Sequence, residues 1–158
     1  MSNPNKDVID VLNNLIEYSK DGEKGFKESA EDVKNIDRKA FFEQRSRECV
    51  VAAGELQAEV RRLGGDPETS TSVSGDLHRG WVNFKSMLTG KSEEAVLNEV
   101  ERGEDHALDA YRKAREKLVK HGRAASDQSY ALVEKQLQGV QRNHDQVKVL
   151  RDAARARS

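Results

Sequence analysis

The sequence predicts an all-α fold, a bundle of four long helices, on three observations. Charged residues make up 35% of the 158 positions and aromatic residues only 5%. That is the balance of long solvent-facing helices, not of a sheet protein. Only two prolines occur, Pro4 and Pro67, and both fall outside the segments of helical periodicity, so nothing interrupts the helices. The four long segments are also matched in length, each about 28 residues and so about 42 Å along its axis, as a bundle requires.

The first helix is expected from about Lys6 to Lys34, followed by the turn Asn35-Ile36-Asp37. Asp37 has the side chain of an N-cap for the second helix, and Ile36 is placed to staple against Phe41. Gly64-Gly65 ends the second helix, with Pro67 just beyond. Asp66 to Ser72 is a run of turn formers. A shorter amphipathic segment follows, with Leu77, Trp81, Phe84 and Leu88 on one face and Thr89-Gly90 at its end. Ser92, with Glu93 and Glu94 behind it, caps the third long helix, which runs to about Lys120 and stops at Gly122. Ser126 or Asp127 caps the last helix, which reaches about Ala156, with a fraying RDAARARS end.

The short segment decides which bundle this is. With its loop it is long enough to travel most of the bundle's length, so the third long helix would run parallel to the second. A long crossover between helices two and three is the ferritin-like connection; a tight loop would give a plain up-down bundle. The expected fold is therefore a single ferritin-like four-helix-bundle domain over residues 1–158, with a short amphipathic crossover helix between helices two and three.

Charge and composition exclude several classes of function. With 27 Lys+Arg against 28 Asp+Glu the net charge is −1, which gives no electrostatic case for nucleic acid or an anionic membrane. No stretch approaches the roughly 20 apolar residues of a membrane span. The start, MSNPNKDVIDVL, lacks the basic and apolar regions of a signal peptide. One cysteine, Cys49, allows no internal disulfide, so the expected setting is the reducing cytoplasm.

The core seams, followed at steps of three and four residues, are apolar or small except at one depth. Helix one reads Leu12, Ile16, Ser19, Glu23, Phe26, Ala30, Val33; helix two Phe42, Ser46, Cys49, Ala53, Leu56, Val60, Leu63. Helix three reads Leu97, Val100, Glu104, Ala107, Tyr111, Ala114, Leu118; helix four Tyr130, Val133, Leu137, Val140, His144, Val147. Under the crossover topology Glu23, Ser46 with Cys49, Glu104 and His144 fall within one layer about 5 Å thick. A lone carboxylate on an apolar seam is costly unless paired or metal-bound. Three readings stay open: a buried polar network without metal, a metal site, and side chains that reach past the seam to solvent.

The runs LNNLIEYSKDGEKGFKESAEDV, ELQAEVRRLGGDPETSTSVSGDLHRGW, ERGEDHALDAYRKA and GVQRNHDQV together resemble a family of uncharacterised bacterial ferritin-like four-helix-bundle proteins. The resemblance covers about residues 7 to 150, and LGGDPE, LHRGW and ERGED together are specific. That family has no established activity, and the resemblance implies the same fold.

Ferritin-like di-iron proteins carry one Glu on each of two helices and Glu-x-x-His on each of the other two. Here Glu23 and Glu104 can stand for the single carboxylates, with Glu101 one turn from Glu104. Helix four offers Gln141-x-x-His144, an amide where the pattern has a carboxylate. Helix two offers Ser46-x-x-Cys49, with Glu48 beside it and no histidine. An amide oxygen is a weak ligand for iron, and a thiol shifts preference toward zinc or copper. The set Glu23, Glu48, Glu101, Glu104, Gln141 and His144 therefore reads as a degenerate di-iron site, metal-free or holding one transition-metal ion, iron or zinc.

Other candidates carry less. His78 lies beside the apolar face of the short segment, His106 and His121 read as exposed, and Cys49 reads as a small core residue. There is no phosphate-binding glycine loop and no nucleophile elbow. The leading expectation is a non-enzymatic bundle with a structural, stress-related or partner-binding role, assembling as a homodimer; Trp81 and Phe84 must cover either the bundle's own flank or another subunit. The alternative is a metal-binding or redox protein holding an ion in the mid-bundle layer. Iron storage ranks third.

Overall fold

The computed structural model describes residues 3–33, 35–70 and 92–157. They form α1 (Lys6–Asp32), α2 (Ile36–Arg62), α3 (Glu93–Lys120) and α4 (Gln128–Arg157), with no strand among the described residues. The short segment expected between Leu77 and Gly90 lies outside them.

The helix ends follow local chemistry. Ser92 caps α3, its hydroxyl accepting from the Ala95 N–H at 3.2 Å. Asp127, not Ser126, caps α4: its carboxylate takes the N–H groups of Ser129 (2.8 Å) and Tyr130 (3.3 Å). The start of α2 departs from expectation. Its cap is Asn35, which accepts from Arg38 N–H at 3.0 Å, and Asp37 is already inside the helix. Ile36 is consequently the first helical residue, 80% exposed, and makes no staple. Gly64 and Gly122, at φ +83° and +80°, close α2 and α3 in the left-handed conformation that favours glycine. Gly65 answers a different need, since a Cβ there would lie 2.7 Å from Ile9 Cδ1.

Two hairpins make up the bundle: α1 packs against α2 and α3 against α4, and the pairs meet along α1–α3 and α2–α4. Direction is fixed at the ends. Arg38, at the start of α2, lies 3.6 Å from Glu93 at the start of α3, and Arg157, at the end of α4, donates to that same Glu93 at 3.0 Å. At the other end the Leu63 carbonyl that closes α2 accepts from Asn3 (3.0 Å) and Asn5 (3.3 Å). The chain thus leaves α2 at one end and enters α3 at the other, so α2 and α3 are parallel. This is the ferritin-like arrangement. Residues 66–70 already turn back along the first hairpin: Asn13 Oδ1 accepts from Glu68 N–H at 2.8 Å, and Gln57 donates to the Glu68 carbonyl at 2.9 Å.

The core is divided. One apolar cluster fills the end where the chain starts, with Val8, Leu12, Leu15, Ile16, Leu56, Val60, Leu118 and Val133 among its members. A smaller one, including Ala30, Phe42, Val96, Val100 and Val147, fills the opposite end, where Phe26 and Phe41 pack against it. Each fully buried Leu, Ile or Phe contributes about 1.5–3 kcal/mol through lost contact with water. Between the clusters lies the polar depth at which the seams break.

Candidate functional site

The centre of that depth is Arg45, 5% exposed. It stands on α2 one residue before the seam position Ser46, and its guanidinium lies over the Phe41 ring, 4.6 Å from the centroid. From there it reaches across to α4. Nη1 donates to Asn143 Oδ1 at 2.9 Å, and Nη2 to the Asn143 carbonyl (3.3 Å) and Gln146 Oε1 (3.1 Å). Glu48 closes a ring, its Oε2 lying 3.4 Å from Arg45 Nη1 and accepting from Asn143 Nδ2 at 3.0 Å.

Glu104 faces this cation from α3 without bonding to it. Its Oε2 is 4.0 Å from Arg45 Nε, an ion pair too long for a hydrogen bond. Glu104 Oε1 and Arg45 Nε are both buried with no hydrogen-bond partner. Burial pushes the Glu104 carboxyl up to about 7, Arg45 opposing and Glu48, Asp105 and Glu101 reinforcing the rise. This is a group that can exchange a proton near neutral pH.

The first helix contributes backbone more than charge. The Glu23 carbonyl accepts from Ser46 Oγ at 3.0 Å, while the Glu23 carboxylate lies 3.6 Å from Lys20. Burial drives the Cys49 thiol up to about 12, so it stays protonated and a poor nucleophile. Gly22 makes room for it, since a Cβ there would lie 2.7 Å from the sulfur.

At the α3–α4 edge is a second grouping. His144 Nε2 is 2.7 Å from Asp105 Oδ1 and 3.7 Å from Glu101 Oε1. One ligand atom from each of Glu101, Asp105 and His144 lies within 4.8 Å of the others. Glu101 Oε2 is paired with Arg151 Nη1. His144 Nδ1 is buried with no hydrogen bond, 3.7 Å from Asp145 Oδ1.

The six residues singled out from the sequence are thus distributed. Glu48 and Glu104 face Arg45, and Glu101 and His144 meet at the α3–α4 edge. Glu23 pairs with Lys20 on its own helix, half-buried beside Cys49. Gln141 makes contacts of its own, accepting from Arg112 at 3.4 Å and donating to Asp145 at 3.0 Å. His106 and His121 are exposed as expected. Arg45, Asn143, Gln146 and Asp105 escaped the seam reading because each lies one position off it. A signal for Asp105 existed, since it follows Glu101 by four residues and shares its helix face.

The family described as "Domain of unknown function (DUF2383)" matches residues 7–117. The chain belongs to that family. Solved structures extend the comparison of this DUF2383 member. A ferritin-like diiron-carboxylate protein from Bacillus anthracis str. Ames aligns over 95% of this chain and 99% of its own, at TM-score 0.70 and 19% identity. The Desulfovibrio desulfuricans bacterioferritin aligns over 99% and 86%, at 0.74 and 15%. The Dps protein of Vibrio cholerae O1, from the same broad superfamily, aligns over 93% and 90%, at 0.71 and 14%. These likenesses establish a ferritin-like fold. No curated protein matches significantly. No described helix is long and apolar enough to cross a membrane.

Proposed function

We propose that this chain is a non-enzymatic ferritin-like bundle, a single domain over residues 1–158, in which the depth of a di-iron centre is occupied by an internal ion-pair network around Arg45. The position of that guanidinium is the observation that supports the reading. A di-iron pattern asks for carboxylates and histidines converging from four helices. Here α2 brings a fixed cation, with Ser46 and Cys49 at the seam, and Arg45 lies 4.0 Å from the buried Glu104 carboxylate. Arginine does not lose its proton in proteins, so this charge cannot be withdrawn to admit metal. The donors do not fit two iron ions, and the site is degenerate as a di-iron centre.

The role that follows is structural or partner-binding, in the cytoplasm and as a homodimer, with a stress-related setting as the family resemblance suggests. Neither nucleic acid nor membrane is a partner on this reading. Aerobic addition of iron(II) to the purified chain tests it: oxygen consumption is expected to match buffer alone. Consumption above buffer that disappears in Glu104→Gln would sink the proposal. Light scattering at high concentration tests the dimer, and a clean monomer would remove it.

A second reading, a metal-binding protein holding one ion, is favoured by the grouping of Glu101, Asp105 and His144.

A further inference from the structure

We propose that Glu101, Asp105 and His144 form a site for one divalent first-row transition ion of the zinc or iron(II) class, at the α3–α4 edge and separate from the Arg45 network. This inference deepens the second reading above and does not depend on the first.

Position comes first. Glu101 and Asp105 are four residues apart on α3, so they stack on one face, and His144 comes to them from α4. Ligand atoms on a zinc ion stand about 2.0–2.2 Å from it. Atoms already within 4.8 Å of one another therefore need small rotamer changes, not backbone movement, to share an ion. Asp105 is 61% exposed and His144 16%, so the grouping opens to water on one side and is walled on the other.

The second observation is the state of the histidine. Its Nε2 is aimed at Asp105, 2.7 Å away, while the buried Nδ1 has no hydrogen bond. In the neutral ring the Nε2 proton serves Asp105 and leaves Nδ1 unsatisfied. An ion on Nε2 requires the other tautomer, with the proton on Nδ1. Asp145 Oδ1, 3.7 Å from Nδ1, is the acceptor that a small rotation brings into reach. A carboxylate behind the ligating histidine is the usual outer support of such sites, fixing tautomer and ring orientation. Ion binding thus satisfies an atom that is orphaned without it.

Donor chemistry sets the ion class. Two carboxylates and one imidazole suit borderline divalent ions, and no thiol is present to favour copper(I). Arg151 has a defined part as well. It pairs with the second oxygen of Glu101, holding that carboxylate in place while opposing the ion's charge.

Zinc calorimetry on the full chain after chelator treatment tests the proposal, with cobalt(II) absorption as the probe of coordination. One equivalent is expected to bind. Asp105→Asn, at an exposed position that does not endanger the fold, and His144→Ala should each weaken binding by about 10- to 100-fold and bleach the cobalt bands. Arg151→Gln should tighten it roughly three- to tenfold by removing the opposing charge, and Glu104→Gln, which removes only a neighbouring charge and no ligand, should weaken it by less than about threefold. Absence of saturable binding, or binding indifferent to Asp105→Asn, overturns the site. Binding lost in Glu104→Gln but kept in Asp105→Asn would put the ion in the central layer, defeating this proposal and the Arg45 reading together. A wild-type chain that binds zinc as described but also consumes oxygen with iron would defeat only the latter.

Discussion

Two buried glutamates in this bundle are treated in opposite ways. Glu59, on α2 near the first apolar cluster, is 4% exposed and Glu104 is 8%. Glu59 accepts from Arg62 Nε (2.7 Å), Arg62 Nη2 (2.6 Å) and Ser129 Oγ (2.5 Å). Burial alone would raise its pKa, but those hydrogen bonds together hold it below the ordinary value. Glu104 has one distant cation and an unpartnered oxygen, and rises to about 7. The first is a joint between α2 and α4 whose polar demand is met. The second is a charge left poorly compensated in the middle of the molecule, the kind of group found where a fold serves more than its own stability.

The largest effect that would break this comparison is expected from Arg45→Ala. It strips the cation from Glu104, Glu48, Asn143 and Gln146 at once, and loss of one partner of a buried pair costs about 3–5 kcal/mol. Denaturant unfolding at pH 8 measures it. A loss under about 1 kcal/mol would mean that the network contributes little.

Next comes pH. The Glu104 pKa is raised on folding, so the folded chain binds its proton more tightly than the unfolded one. Its contribution is fully present below the ordinary value of 4.5 and is lost as pH rises through about 7. The span corresponds to about 3 kcal/mol, and Glu104→Gln should flatten it. Glu59 works in the other sense, since its lowered pKa stabilises above the ordinary carboxylate range and the benefit fades as the solution turns acid. Both variants should therefore match wild type in acid and diverge from it as pH rises, in opposite senses: Glu104→Gln becomes the more stable chain above about 7, and Glu59→Gln the less stable one above the ordinary carboxylate range. Parallel curves would erase the contrast.

At neutral pH, Glu59→Gln itself is expected to cost about 1–3 kcal/mol, through weakened bonds to Arg62 and Ser129. The smallest effect concerns Cys49. With its thiol at about 12, labelling by a thiol reagent at pH 8 should be far slower than for an unfolded peptide, and denaturant should restore it. Fast labelling of the native chain would show the sulfur to be accessible and ionised.

Much of the fold was legible because helix signals are local. The prolines outside the periodic segments, the Ser92 cap and the Gly64 and Gly122 stops each act within a turn of where they stand. The start of α2 was misplaced by two residues because Asn35 and Asp37 are both good caps, and only the backbone distinguishes them. The depth of the polar layer was legible too, since it follows from helix rise. Its occupant was not. A seam reading discards arginine as a surface residue, yet Arg45 buries its charge by reaching Asn143 and Gln146, about a hundred positions along the chain. Asp105 was missed for a related reason: its partner His144 belongs to another helix, and its own position lies off the seam.

The division into two hairpins has a kinetic consequence. Within each, the helices are joined by a few residues and meet through contacts close in sequence, so each can form early at little loop-closure cost. The α2–α4 joint is different, built from Glu59 with Ser129, Glu55 with Lys135, Ala52 with Gln136 and Arg45 with Asn143. These polar contacts demand correct alignment of two preformed units, and water is surrendered only when they match. We expect docking of the hairpins to come last. Arg45→Ala should then mainly speed unfolding and leave the refolding rate nearly unchanged.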